Sequence, residues 1–190
     1  MSPLAEIQAN LRNVIGILRF DPQAPKRFDN TPSGVAHSFL AAAVGLPIYL
    51  MVLKGSFAAM VPSPGLAHFL PVMLLYYVIE WLIWPNLMDG VSRWIGREKF
   101  YCRYVAAYNW FALAQMILML PYQIAMMTPG FSLPGIAAVG LFATMAFALY
   151  EWFIARHALE VPGRTAFGLV MLNLLAGLLL LQIKALQLSL

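Results

Sequence analysis

The sequence has very little charge for its length. Of its 190 residues, 11% are charged and 62% are hydrophobic, and the mean hydropathy is +0.75. An average soluble domain is about half apolar and about a quarter charged. Because a water-soluble fold of this size could not bury so much apolar surface, we predict an integral membrane protein whose outer surface contacts lipid.

Cysteine and histidine are also scarce. The one cysteine, Cys102, excludes a CxxC oxidoreductase and a cysteine-rich metal site. The three histidines lie near the ends of different apolar stretches, and no HxxxH or HExxH spacing puts two of them on one helical face. A haem or pigment site needs a histidine well inside a span. The sequence therefore predicts neither a metal nor a cofactor.

The motifs of membrane hydrolases are absent as well. The chain has no GxSxG elbow, no aspartate pair within an apolar stretch and no glycine-rich phosphate loop. We therefore expect no catalytic residue and no enzyme. The net charge of +4 comes from basic clusters, which we interpret as orientation signals and anionic-lipid contacts, not as a nucleic-acid site.

Long apolar runs are what the sequence has in abundance. A helix of roughly 18 to 25 apolar residues crosses about 30 Å of hydrocarbon. Five runs meet this length, so the predicted fold class is an all-α integral membrane protein with five transmembrane helices and an N-terminal amphipathic interfacial helix. Residues 1–35 form the predicted cytoplasmic segment and residues 36–190 the transmembrane domain. The five predicted spans cover about 36–53, 66–88, 101–126, 133–154 and 165–188.

The lysines and arginines predict the orientation. Ten of the twelve fall in the segments that share a side with the N-terminus, which leaves only Lys54 and Lys184 on the other side. The positive-inside rule then predicts a cytoplasmic N-terminus and an outside C-terminus. The residues that we expect to contact the membrane surface are Arg12, Arg19, Lys26, Arg27, Arg93, Arg97 and Lys99.

The N-terminal segment has the pattern of an amphipathic helix. Apolar residues recur at helical spacing along one face, and the opposite face carries Glu6 and Arg12. Such a helix either lies on the inner membrane surface or docks against the cytoplasmic ends of the bundle, and the pattern leaves both alternatives open. The apolar positions are Leu4, Ile7, Leu11, Val14, Ile15 and Leu18.

One carboxylate, Glu80, lies near the middle of a predicted span. A charge there is costly in lipid, so we expect it to have a partner. Counting from the inner face puts Glu80 roughly 12 Å deep at 1.5 Å per residue, level with Asn109 on the next span. We predict a Glu80–Asn109 hydrogen bond, with Tyr108 or Arg103 close by. This group either holds the two helices together by hydrogen bonds, or it forms a site that binds a proton or a ligand. Glu151, nearer the inner surface, is expected to be solvated there.

Three stretches together resemble the bacterial Yip1-type membrane proteins. They are "LRFDPQAPKRF" before the first span, "SRWIGREKFYCRYVAAYNWFALAQMI" with a later "LPY" in the third, and "GRTAFGLVMLNLL" entering the fifth. The resemblance implies a five-helix fold and a non-enzymatic role. The Asp-Leu-Tyr-Gly-Pro stretch of eukaryotic members is absent, so a trafficking or GTPase-linked role is not carried over.

Three classes of function follow from these observations. The first is a scaffold, assembly factor or accessory subunit of a bacterial inner-membrane complex, in contact with lipids and with another membrane protein or a second copy of itself. The second is a small transporter or channel subunit that uses Glu80 as a proton or ligand site. The third, a membrane enzyme acting on lipids, is disfavoured by the missing motifs.

Overall fold

The computed structural model of the chain describes residues 3–59, 65–128 and 133–188, and both predicted domains include positions outside these ranges. Helices are the only regular elements in the described part. Short 3-10 turns at Ala24–Arg27 and Glu98–Phe100 precede α2 and α5. The all-α class is therefore confirmed. The helices are α1 (Pro3–Leu18), α2 (Pro32–Ser38), α3 (Leu40–Ala59), α4 (Leu66–Trp94), α5 (Tyr101–Leu118), α6 (Leu120–Met127), α7 (Leu133–Ala158) and α8 (Gly163–Leu188).

Within those ranges, five helical segments are long and apolar enough to cross a membrane, as the apolar runs predict. They are Pro32–Phe57, Leu66–Trp94, Glu98–Met127, Pro134–Ala158 and Gly163–Leu188. Their outward surfaces fit a lipid environment, because large apolar side chains such as Leu141, Phe142 and Met145 are exposed along α7.

The second span is longer than its hydropathy indicates. The predicted second span ends at about residue 88, but α4 continues to Trp94. Asp89 and Arg93 lie one turn apart and form an ion pair of 2.8 Å, which stabilises the part of α4 beyond the apolar run. The turn that follows Trp94 has Gly96 at its left-handed position, where a φ of 65° suits glycine.

Four of the long helices surround a common centre. In turn, α4 contacts α5, α5 contacts α7, α7 contacts α8, and α8 contacts α4. Outside this ring, α2 and α3 pack against α5, and α6 packs against α3 and α7. Polar side chains of the spans can therefore meet between helices that are far apart in the sequence.

The best-packed core lies at the end of the bundle that carries α1. There Val14 and Ile17 of α1 are buried against α5 and α7, alongside Trp110 and Ile154. The structure thus has the docked arrangement of the two that the pattern left open. A helix face with Leu11 and Ile15 stays exposed, and its contact with lipid remains a prediction.

Three helices end at this same side with the same turn. In α1, the Asp21 amide donates to the Gly16 carbonyl and the Phe20 amide to the Ile17 carbonyl, which is the Schellman arrangement. The residue at the left-handed position is usually glycine, as in α4. In α1 and α7 it is Phe20, with a φ of 55°, and Glu160, with a φ of 53°. Both side chains make the tertiary contacts described below.

Candidate functional site

The predicted hydrogen bond between Glu80 and Asn109 is wrong. The Glu80 carboxylate instead pairs with the ammonium group of Lys184 on α8, at 2.8 Å. We placed Lys184 near the far end of the last span, but its long stem lets the ammonium reach the middle of α4. The ammonium also lies 5.7 Å from the ring centre of Tyr76. The Glu80 side chain is 42% exposed and that of Lys184 is 18% exposed, so the pair is only partly covered.

Asn109 faces a different neighbour. Its Nδ2 donates to the Ser38 hydroxyl oxygen at 2.8 Å, and that hydroxyl donates to the Val35 carbonyl. The Ser38 hydroxyl proton is used in this bond, so Ser38 can only accept from Asn109. The amide atom that faces Ser38 is therefore the nitrogen. The other end, Oδ1, is buried and has no hydrogen-bond partner, and the residue is 1% exposed.

Three of the four predicted site residues nevertheless share a cavity. Glu80, Tyr108 and Asn109 line a space of about 150 Å³ between α4 and α5. Trp81, Ala112 and Met116 complete its wall. The structure therefore brings Glu80, two aromatic residues and Asn109 to one small cavity, although the unpaired Oδ1 of Asn109 is itself buried.

Beside this cavity, Tyr108 belongs to a second polar group. Its hydroxyl accepts from Asn173 Nδ2 at 3.2 Å, and the same nitrogen donates to Glu151 Oε2 at 2.8 Å. Glu151 is half-buried and faces α8, so the expectation that it is solvated at the surface is wrong. A helix position alone does not show which way a side chain points, and the α7–α8 contact turns Glu151 inward.

The fourth predicted residue, Arg103, lies elsewhere. Its guanidinium donates to Glu160 Oε1 at 2.7 Å and to the Ala158 carbonyl at 2.6 Å, so it ties the start of α5 to the turn after α7. The hydrogen bond from Arg103 lowers the pKa of the Glu160 carboxyl, and the charges of Lys26 and Lys99 lower it further. Arg103 is therefore a link between elements and has no contact with Glu80.

The predicted surface cations are gathered at the α1 end. Two of them are paired, Arg27 with Asp21 and Arg93 with Asp89. Beside them Trp94 is 86% exposed, as is typical of an indole at a membrane–water interface. Lipid contact by these cations stays a prediction. The remaining predicted cations are partly or fully exposed: Arg12, Arg19, Lys26, Arg97 and Lys99.

Sequence reasoning missed Lys184 and Ser38 as partners. A signal existed for Lys184, because it is the only cation in the fifth apolar run and lies about one turn from its end. Ser38 gave no signal, since its contact with Asn109 depends on α2 packing against α5. In the part of the chain that the structure describes, no three His, Cys, Asp or Glu side chains are grouped to hold a metal.

Over the residues that the structure describes, the fold is all-helical and has five helices suited to a multi-pass membrane protein. No family model, curated protein or solved structure matches this chain.

Proposed function

We propose that this protein is a non-enzymatic scaffold, assembly factor or accessory subunit of a bacterial inner-membrane complex. Its N-terminus is cytoplasmic and its C-terminus is outside, and it binds lipids together with another membrane protein or a second copy of itself. The resemblance to the Yip1-type proteins points to the same role.

The folded α1 end is the observation that carries this proposal. Here α1, the turn Ala24–Arg27 and α2 all pack against α5, and Asn30 donates to the Lys99 carbonyl at 2.8 Å. The segment before the first span is thus held in one position on the bundle. It presents the exposed Lys26 and Lys99, whose charges both lower the pKa of the Glu160 carboxyl, together with the exposed Trp94 at the end of α4. A fixed, basic and aromatic surface suits binding to a partner or to anionic head groups.

The pairing of polar groups inside the bundle also supports a structural role. Glu80 is paired with Lys184, Glu151 with Asn173, and the Trp84 indole donates to the Tyr104 hydroxyl at 2.8 Å. Hydrogen bonds of this kind join membrane helices to one another. These polar groups along the spans are therefore used to hold the helices together.

Purification of the tagged protein in mild detergent tests the proposal. We expect a stable stoichiometric complex, identified by native mass spectrometry. The charge reversal Lys99→Glu is expected to lower the yield of that complex several-fold. Lys54→Glu is the matched control, because Lys54 is also an exposed lysine and lies at the opposite end. An isolated monomer, or equal loss in the two variants, would contradict the proposed role of the α1 end.

A second candidate is a small transporter or channel subunit that uses Glu80. The cavity shared by Glu80, Tyr108 and Asn109 favours it. Dissipation of a pH gradient by the protein in liposomes provides the test. We expect Glu80→Gln to abolish the flux and Glu98→Gln, an exposed site at the α1 end, to leave it intact. Equal flux in Glu80→Gln and the unchanged protein excludes this candidate.

A further inference from the structure

A groove between α7 and α8, here called the α7–α8 groove, opens on the outer surface of the bundle. Its volume is about 300 Å³, and all the side chains in its wall are apolar or aromatic. Leu149 and Phe167 of this wall are more than half exposed, so the groove faces the surroundings of the bundle and not its core. In a bilayer, those surroundings are acyl chains. The wall consists of Ala148, Leu149 and Trp152 of α7 and of Phe167, Val170 and Met171 of α8.

Both helix faces that line the groove lead to an arginine. On α7, Arg156 follows the lining residue Trp152 by four positions. On α8, Arg164 precedes the lining residues Phe167 and Met171 by three and seven positions. Residues at these spacings share one face of a helix. Because α7 ends and α8 begins at the same turn, the two arginines lie at the same end of the groove, which is the α1 end.

The two arginines carry charge that the chain does not neutralise. Arg156 and Arg164 are both exposed, and the ion pairs among the described residues involve neither of them. The carboxylate in the turn between the two helices, Glu160, is paired with Arg103. Two positive charges therefore lie beside one end of an apolar groove, where they can bind an anion.

Trp152 connects this charge to the groove. Its ring lines the groove, and the Arg156 guanidinium lies 5.2 Å from the ring centre. Its indole nitrogen donates to the carbonyl of Gly163, the residue before Arg164, at 2.9 Å. An indole with one polar and one apolar side is typical of the level at which lipid head groups meet acyl chains.

We propose that the α7–α8 groove binds one anionic phospholipid, whose phosphate contacts Arg156 and Arg164 and whose acyl chain lies in the groove. A guanidinium group binds a phosphate through paired hydrogen bonds, and the apolar wall matches the chain. The groove extends roughly 10 Å from Arg164 to Met171 at 1.5 Å per residue, so it takes part of one chain. The inference deepens the proposed binding of lipids and rests on it, and both arginines are additional to the predicted surface cations.

Native mass spectrometry of the purified full-length protein tests the site, with phosphatidylglycerol and phosphatidylcholine of the same chain length added to the detergent. We expect one phosphatidylglycerol to bind and the zwitterionic lipid to bind much more weakly. Arg156→Gln combined with Arg164→Gln is expected to raise the dissociation constant for phosphatidylglycerol at least about tenfold. Arg12→Gln combined with Arg19→Gln is the matched control, because it removes the same charge from exposed arginines at the same end. Equal binding of the two lipids, or equal loss in the two double variants, overturns the proposal.

Ala148→Phe is a second variant that keeps both arginines. Ala148 lines the groove, so the larger side chain fills it. We expect several-fold weaker binding of phosphatidylglycerol, and no such loss in Ala137→Phe, the control at an exposed position near the other end of α7. Undiminished lipid binding in Ala148→Phe, or equal loss in the two variants, overturns the proposal.

Two other occupants are separated by the same measurements. Glycerol 3-phosphate has the charged group and no chain, and an affinity equal to that of phosphatidylglycerol overturns the proposal. A bound protein chain that is lost in Ala148→Phe, with no lipid bound to the unchanged protein, overturns it as well. A bound phosphatidylglycerol without a stable protein complex contradicts only the scaffold role, and a stable complex without the bound lipid contradicts only this site.

Discussion

At the scale of the residue, Glu80 and Lys184 are partners with unequal freedom. Glu80 lies in the middle of α4, far from either end of that helix. Lys184 lies about one turn from the end of α8, and its stem can carry the ammonium to that end. A lysine that loses its partner can therefore move toward water, whereas the carboxylate cannot.

This asymmetry predicts different costs for removing the two charges. We expect Lys184→Met to destabilise the protein by about 1–3 kcal/mol, between the values for exposed and fully buried pairs, and Glu80→Gln by distinctly less. Thermal or denaturant unfolding in detergent measures both. Glu98→Gln, which alters an exposed carboxylate at the other end, is the control. A larger loss in Glu80→Gln than in Lys184→Met would show that this account of the pair is wrong.

Glu160 predicts how stability changes with pH. Its pKa in the folded protein is lowered, chiefly by the hydrogen bond from Arg103. The unfolded chain therefore binds the proton more readily, so this contribution to stability is full above the usual glutamate pKa and is lost as the pH falls through the lowered value. We expect Glu160→Gln to be less stable than the unchanged protein at neutral pH. In acid the difference should vanish. A difference that is constant across this range, followed by unfolding curves, would contradict the prediction.

At the scale of the element, two helix ends use an ordinary residue where glycine is favoured. Phe20 has the left-handed backbone that ends α1, and its ring stacks on Tyr150 with a centroid distance of 4.7 Å. Tyr150 in turn donates to the Leu18 carbonyl at 3.2 Å. The strained residue is retained at a position where its side chain joins α1 to α7.

The two effects at Phe20 can be separated by a pair of variants. Phe20→Ala loses the ring and keeps the strain, whereas Phe20→Gly loses the ring and relieves the strain. We expect both to be less stable than the unchanged protein, and Phe20→Ala to be less stable than Phe20→Gly by about 1 kcal/mol. The measurement is the free energy of unfolding of each variant. The reverse order would mean that the left-handed backbone is not strained here.

Hydropathy located the long helices but not all of their ends. The helix ends were predicted from the ends of the apolar runs. This prediction is correct for the start of α4 at Leu66 and for the start of α7 at Leu133. It failed after residue 88, because the ion pair between Asp89 and Arg93 keeps a polar turn helical. Charged residues one turn apart can extend a helix into water without any apolar signal.

At the scale of the whole molecule, the distribution of cations predicts which ends face the cytoplasm. We expect a cysteine at Trp94 to be labelled by an impermeant maleimide only after the cells are permeabilised. A cysteine at Lys54 should be labelled in intact spheroplasts. Both variants carry Cys102→Ala, and both positions are exposed, so access to the thiol is comparable. The opposite labelling pattern would reverse the proposed orientation.

Part of the candidate site was foreseeable at this scale. Glu80 stood out because one carboxylate lies within a long apolar run, and counting depth brought Tyr108 and Asn109 to the same cavity. Its partner was not foreseeable in this way. Depth counting compares backbone levels, and a lysine side chain can reach well beyond the level of its own backbone.

The sequence by itself determined the class of fold and the number of apolar helices, because both depend on the length and composition of continuous runs. It also marked Glu80 as the residue to explain. Only the tertiary structure decided that Lys184 pairs with Glu80, that Asn109 turns to Ser38, and that Glu151 faces Asn173. Those contacts depend on the rotation of each helix about its axis and on its neighbours, which are set by packing between segments far apart in the chain.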